Sequence, residues 1–218
     1  MKKILLILLF IPIVYYGQGL NKESNGYTEV VEVKLSKKDI HQKINEWVAI
    51  NFKSAQDVVQ LNSEDKVIVK GNYPLNMQVS ANPLINTPNY NFTYRISNTM
   101  LFSIRDNKYK IDLIPISAWN DLIGEAVLYD FPSWMSPKTM SKEEFIKISY
   151  ENAIKAFFDM GYSEKKAKKL MASVTDASTN EINYNDYIIN KAVWSNTIKS
   201  LFQSVKDYVN KSNSDDDW

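Results

Sequence analysis

The 218-residue chain holds one histidine, His41, and no cysteine. Without cysteine there are no disulfides, thiolate metal sites or cysteine nucleophiles. A zinc site needs several ligands at set spacing, and neither a second histidine nor an acidic cluster accompanies His41. It lies between Ile40 and Ile44 in a helical pattern and reads as a partly exposed helix residue without a chemical role. A serine triad would have to use His41, yet no Gly-x-Ser-x-Gly elbow supplies the serine. The six glycines are scattered, so no phosphate-cradling loop exists. No catalytic, cofactor-binding or metal-binding residue is assigned on these grounds, and no cofactor is expected.

Carboxylates are harder to dismiss, because 25 acids are present and glycosidase-like pairs leave no sequence signature. Asp112 sits on the polar side of a strand pattern beside Lys110 and reads as a solvated charge. Asp215, Asp216 and Asp217 lack the glycine turn and ligand spacing of a calcium loop, so 212–218 reads as a flexible acidic tail. The Pro-bounded stretch 131–137 offers Phe131, Trp134 and Met135 as a contact surface, since aromatic residues and methionine are frequent in such surfaces. Of the 26 basic residues only Arg95 and Arg105 are arginine. Arginine is the usual bidentate reader of phosphate and base edges, so nucleic acid is not an expected partner.

Export follows from the segment that precedes all of these residues. Lys2 and Lys3 open a stretch whose positions 4–14 are apolar apart from Pro12, and Gly17 and Gly19 occupy the small-residue positions before a cleavage point. Roughly 11 apolar residues fall short of the ~20 that span a bilayer. Residues 1–19 are therefore expected to be a signal peptide, with a periplasmic or secreted mature chain lacking a transmembrane segment. Removing Lys2 and Lys3 takes the formal charge from +1 to −1, since no acid precedes Gly19. A protein of that charge has no general attraction to polyanions.

The elements that would position these side chains come from periodicity. Residues 27–35 alternate as a strand, with Val31, Val33 and Leu35 on one side. Ser36 is the expected N-cap, with Asp39 favouring the helix dipole, and Ile40, Ile44, Trp47, Val48 and Phe52 mark one amphipathic helix over 37–52. Runs at 58–61 and 66–70 make a hairpin around 62–65. The proline-bearing 71–89 reads as a long loop. Phe92, Tyr94, Ile96, Met100, Phe102 and Ile104 then alternate, broken by Asn98. A turn at Asp106-Asn107 pairs Arg105 with Lys108, Ile104 with Tyr109, Phe102 with Ile111 and Met100 with Leu113, all apolar partners on one face.

Strand, helix and four successive antiparallel strands imply an α+β layer, a curved sheet with a helix on its apolar face. After about Pro137 the pattern turns helical. Ser141 and Glu144 form a capping box, Gly161 stops that helix and Ser163 starts a basic one. A last helix over about 181–211 carries Trp194, Ile198, Leu201, Phe202, Val205 and Val209 on its stripe.

The run from Val31 to Trp47, followed by Phe52-Lys-Ser-Ala, Val58-Val-Gln and Val67-Ile-Val-Lys-Gly71, resembles the domain of unknown function 4468 family. The hairpin over 94–114 resembles the end of that domain. The resemblance covers roughly 28–116 and implies a TATA-binding-protein-like (TBP-like) fold of β-α-β-β-β-β order, in exported proteins of Bacteroidota-type bacteria. It implies no activity, ligand or catalytic residue, and the fold alone does not imply DNA binding. The chain then divides into a signal peptide (1–19), a TBP-like domain (27–120), a helical C-terminal region (137–211) and the tail. The expected role is a non-enzymatic module that binds a protein or another envelope component. A carboxylate-dependent hydrolase and a purely structural envelope protein are the alternatives.

Overall fold

The computed structural model describes residues 26–52, 54–81, 88–120, 124–126, 135–174 and 177–211. Strand β1 (Tyr27–Glu32) leads into helix α1 (Lys37–Asn51), and a single turn, α2 (Ala55–Val58), precedes β2 (Val59–Ser63). Three long strands follow, β3 (Lys66–Val79), β4 (Tyr90–Arg105) and β5 (Lys108–Asn120), and then the short β6 (Gly124–Ala126). Helices α3 (Lys142–Asp159), α4 (Glu164–Val174) and α5 (Ala177–Asn210) complete the chain. All strands join one curved antiparallel sheet in the order β1-β5-β4-β3-β2, with β6 on β5.

The β4–β5 hairpin has the register that alternation dictates: Arg105 opposite Lys108, Ile104 opposite Tyr109, Phe102 opposite Ile111 and Met100 opposite Leu113. Its turn needs a residue at positive φ, and Asn107 takes it at 62°. Asp106 Oδ1 accepts the Lys37 N–H, tying the turn to the start of α1 (2.8 Å). Asn98, the polar break in the apolar row, is buried opposite Pro115 where the ladder shifts register. Pro115 cannot donate, so a bulge accommodates it.

β3 corrects the expected loop at 71–89, because the strand runs on to Val79 and pairs with β4 throughout. Pro74 is tolerated for a reason the structure makes plain. Gln78 turns both its N–H and its C=O to the Asn190 side chain (2.8 Å each). Residues of even number therefore point their backbone groups away from β4, and the donor that Pro74 lacks falls on the free edge beyond β2. Gly71 is required by contact: a Cβ there would lie 2.6 Å from the Phe52 ring.

Ser36 caps α1 as expected, its Oγ accepting the Asp39 N–H (3.2 Å). The helix buries Ile40, Ile44, Trp47 and Val48 against the sheet. Trp47 meets the Phe102 ring edge-on at 6.1 Å. The region expected as an extension supplies part of this core, about as many residues as α1. Trp194, Ile198, Phe202, Val205 and Val209 of α5 are fully buried in the same cluster, beside α1 on the same sheet face. Trp47 Nε1 donates to Ser204 Oγ across the two helices (3.2 Å). At roughly 1.5–3 kcal/mol per buried large side chain, each helix contributes comparably to holding the sheet.

α3 packs on α4 and on the first half of α5, where Phe145 meets Tyr184 and Tyr187. The Ser141–Glu144 capping box is formed reciprocally, at 2.9 and 3.2 Å. Gly161 ends α3 at φ 81°, with Tyr162 N–H reaching back to Phe157 O (2.9 Å).

Candidate functional site

Alternation along β4 sends Tyr94, Ile96, Met100, Phe102 and Ile104 toward the helices. Residues 95, 97, 99, 101, 103 and 105 therefore face the other way. Register extends that second face across the sheet. Ser103 lies between Lys66 and Lys110, and Lys110 is opposite Val30. Leu101 lies between Ile68 and Asp112, which continue to Leu61 and Thr28. Thr99 lies between Lys70 and Ile114, and Ser97 between Asn72 and Ser117.

No described helix packs on this face. Val30 is 47% exposed and Leu61 41%, far too much for side chains beneath another layer.

The face carries both arginines of the chain. Arg105 and Lys108 are a direct cross-strand pair, with Ser103, Lys110 and Val30 bounding a groove of about 240 Å³ beside them. Like charges placed opposite each other repel, and Glu32 on the other side of Lys108 offsets that repulsion. Arg95 lies ten positions back on the same strand and therefore on the same face. Lys66 and Lys70 add two cations on β3. Against these six stand Glu32, opposite Lys108, and Asp112. Of the acids in the nearby turns, Glu64 pairs with the Lys37 ammonium (3.9 Å) and Asp106 caps the Lys37 N–H, both toward α1. Asp65 accepts the Ser63 hydroxyl, which holds its carboxyl below the usual range.

Asp112 differs from its expected solvated state. It is 5% exposed, with Thr28 Oγ1 donating to Oδ1 (2.6 Å) and Lys110 Nζ to Oδ2 (2.7 Å). Both carboxylate oxygens are engaged, and the group anchors Lys110. Sequence reasoning assigned no residues of this face because it joins five strands. One signal was available: 95 and 105 differ by an even number within one strand, which puts both arginines on the same side.

The remaining sites of the sequence reading are placed as follows. His41 closes a ring with Asn62 and Asn45 that pins β2 to α1, at 2.7 Å to Asn62 Oδ1. Among the described residues no three histidine, aspartate or glutamate side chains gather as for a metal. Phe131 and Trp134 lie outside the described residues, as does the acidic tail. Met135 is a correction to the expected contact surface: it is fully buried, and its carbonyl accepts the Trp194 indole N–H (3.2 Å).

Two further features have site-like chemistry. A cleft of about 610 Å³ between α3, α4 and α5 is lined by Phe145, Ile146, Tyr150, Met171 and Asn183, with Glu151 as the one acid among its described residues. Lys191 is 3% exposed and donates to Ser136 O. Desolvation pushes its ammonium down to about 8. Around it Asp186 takes the Ser80 N–H and hydroxyl (2.8 and 2.6 Å), Asn190 holds Gln78, and burial pushes Tyr27 up to about 12. These bonds fasten α5 to β3 and to 135–136, a structural clamp.

Residues 27–119 match the family described as a domain of unknown function (DUF4468) with TBP-like fold, the family that the sequence resembles. Among solved structures, a DUF4468 family protein from Bacteroides ovatus is similar at TM-score 0.47 and 8% identity, over 86% of this chain and 87% of that one. A TBP-like protein from Parabacteroides distasonis is similar at TM-score 0.43 and 16% identity, over 86% of this chain and 94% of that one. No curated protein matches the chain. No described helix is long and apolar enough to cross a membrane.

Proposed function

We propose that the chain is an exported, non-enzymatic binding module that engages its partner through the open face of its sheet. The observation that carries this reading is the face itself. No described helix covers this five-strand surface, on which Val30 and Leu61 are exposed and both arginines of the chain lie. Apolar area exposed within a charged surround marks an interaction site more often than chance. The layout of residues 1–19 supports export. The engaged oxygens of Asp112 and the lone described acid of the helical cleft give a two-carboxylate hydrolase mechanism no foothold at either place.

Photo-crosslinking in the producing cell tests the reading. A photoreactive residue at Thr99, in the middle of the face, should yield a discrete adduct in the envelope or medium. The same residue at Lys199, exposed on α5, should not. Equal labelling at both positions, or none at Thr99, would refute a partner on the sheet. N-terminal sequencing of the same material should begin near Leu20, and a start at Met1 would remove export from the proposal.

A further inference from the structure

We infer that the occupant of the open sheet face is an acidic protein surface, with carboxylates flanking an apolar patch. This deepens the binding reading above and rests on it. The argument is the layout of charge and apolar area. Leu61, Ile68 and Leu101 share the central row, Val30 closes the row of Lys66 and Lys110 on the hairpin side, and Ile114 lies in the row of Lys70 on the other, by register. Cations bracket them: Lys66, Arg105 and Lys108 at the hairpin end, and Lys70 and Arg95 toward the other. At about 3.3 Å per residue, Arg95 and Arg105 are some 33 Å apart. Five strands at about 4.8 Å spacing give a breadth near 24 Å, hence on the order of 600–800 Å² of surface. That is close to what one partner contributes to a standard protein–protein interface. An apolar centre within a charged rim that includes arginine is the anatomy of such interfaces.

A uniform polyanion fits less well. A nucleic acid or sulfated glycan lying along β4 would set its middle charges over Leu101 and Ile68. There it would meet the Asp112 carboxylate, which Lys110 already neutralises. A protein can instead put apolar side chains at the middle and carboxylates at the ends. Arginine rewards this arrangement, because its planar guanidinium accepts a carboxylate in two parallel hydrogen bonds.

Selection of a displayed random-peptide library on the full chain provides the test. The enriched peptides should carry Asp or Glu on both sides of an apolar cluster. Their affinity should fall about tenfold or more, equivalent to ~1.4 kcal/mol, in the double variant Arg95→Glu/Arg105→Glu. It should also fall in Leu101→Asp and as ionic strength is raised. The charge-preserving pair Arg95→Lys/Arg105→Lys should retain most of it. All these positions lie on the uncovered face, and an unchanged melting temperature verifies folding; Arg105→Gln serves as a milder substitute if Arg105→Glu destabilises the chain. Acid-free peptides that respond to Leu101→Asp but not to the arginine changes would overturn the acidic partner and leave the sheet-face reading standing. Peptides indifferent to every one of these variants, or no enrichment at all, would overturn both. Heparin or duplex DNA that bound at physiological salt and displaced the peptides would assign the face to a polyanion and likewise overturn the inference.

Discussion

Phe102 and Ser103 are neighbours in sequence and opposites in environment. Phe102 is fully buried under Trp47, whereas Ser103 lies on the open face between two lysines. Phe102→Ala should therefore cost roughly 3–5 kcal/mol in denaturant unfolding, and Ser103→Ala under about 0.5 kcal/mol. Equal large losses would mean that a second layer covers the face. A different kind of residue-scale test comes from Lys191. Its ammonium, pushed down to about 8, has an ordinary value of 10.5 once unfolded. Between those values the unfolded chain binds more protons than the folded one, so stability from this group rises with pH across that window and is lost as pH falls through 8. The wild type should gain melting temperature on Lys191→Met between pH 8 and 10. A constant difference would show that the amine does not change its charge there. Tyr27, pushed up to about 12, is common to both proteins and drops out of the comparison.

Elements were legible in proportion to how locally they are determined. The β4–β5 hairpin was readable because one apolar row and a two-residue turn admit a single register. The caps were readable because Ser36 and Ser141 each stand one residue before a helical stripe. They predict contrasting costs. Ser36→Ala frees a donor of α1, which is part of the main core, and should lower global stability by about 1 kcal/mol. Ser141→Ala acts on α3, which packs on α4 and α5, and should appear first as faster amide exchange in the first turn of α3, with a smaller shift of the global midpoint. What was not legible depended on distant partners. Nothing near Pro74 reveals that its missing donor faces outward, since that follows from Gln78 meeting Asn190 over a hundred residues later. The prolines of 71–89 accordingly read as loop. Asp112 read as solvated because Thr28, which helps to bury it, comes from the far end of the domain. Met135 read as exposed because Trp194, which packs it inward, belongs to the last helix.

At the scale of the whole molecule, the boundary between sheet domain and helical region is one of sequence pattern and not of packing. α1 and the second half of α5 cover one face together, and Lys43 donates to Lys211 O (2.7 Å) at the end of α5, where a cation suits the helix dipole. Among the described residues this leaves one face for a partner and one edge exposed to risk. The outer edge of β3 beyond β2 is a row of backbone donors and acceptors that any extended chain could join, a second copy of this protein included. The amide of Asn190 occupies one rung of that row at Gln78, in place of a neighbouring strand, and Asp186 takes the next donor at Ser80. Pro74 removes another donor, and Lys70 places a charge beside the edge. Asn190→Ala should open the rung, and the variant should self-associate more than the wild type at equal concentration in analytical ultracentrifugation. The same distribution of species in both would show that the proline and lysine suffice. A side chain borrowed from the last helix thus acts as a steric and chemical stopper against polymerisation, and it can be in place only after the C-terminal third of the chain has docked. Until then the β3 edge stands open, which makes the half-assembled protein, and not the finished one, the form most prone to fibre-like growth.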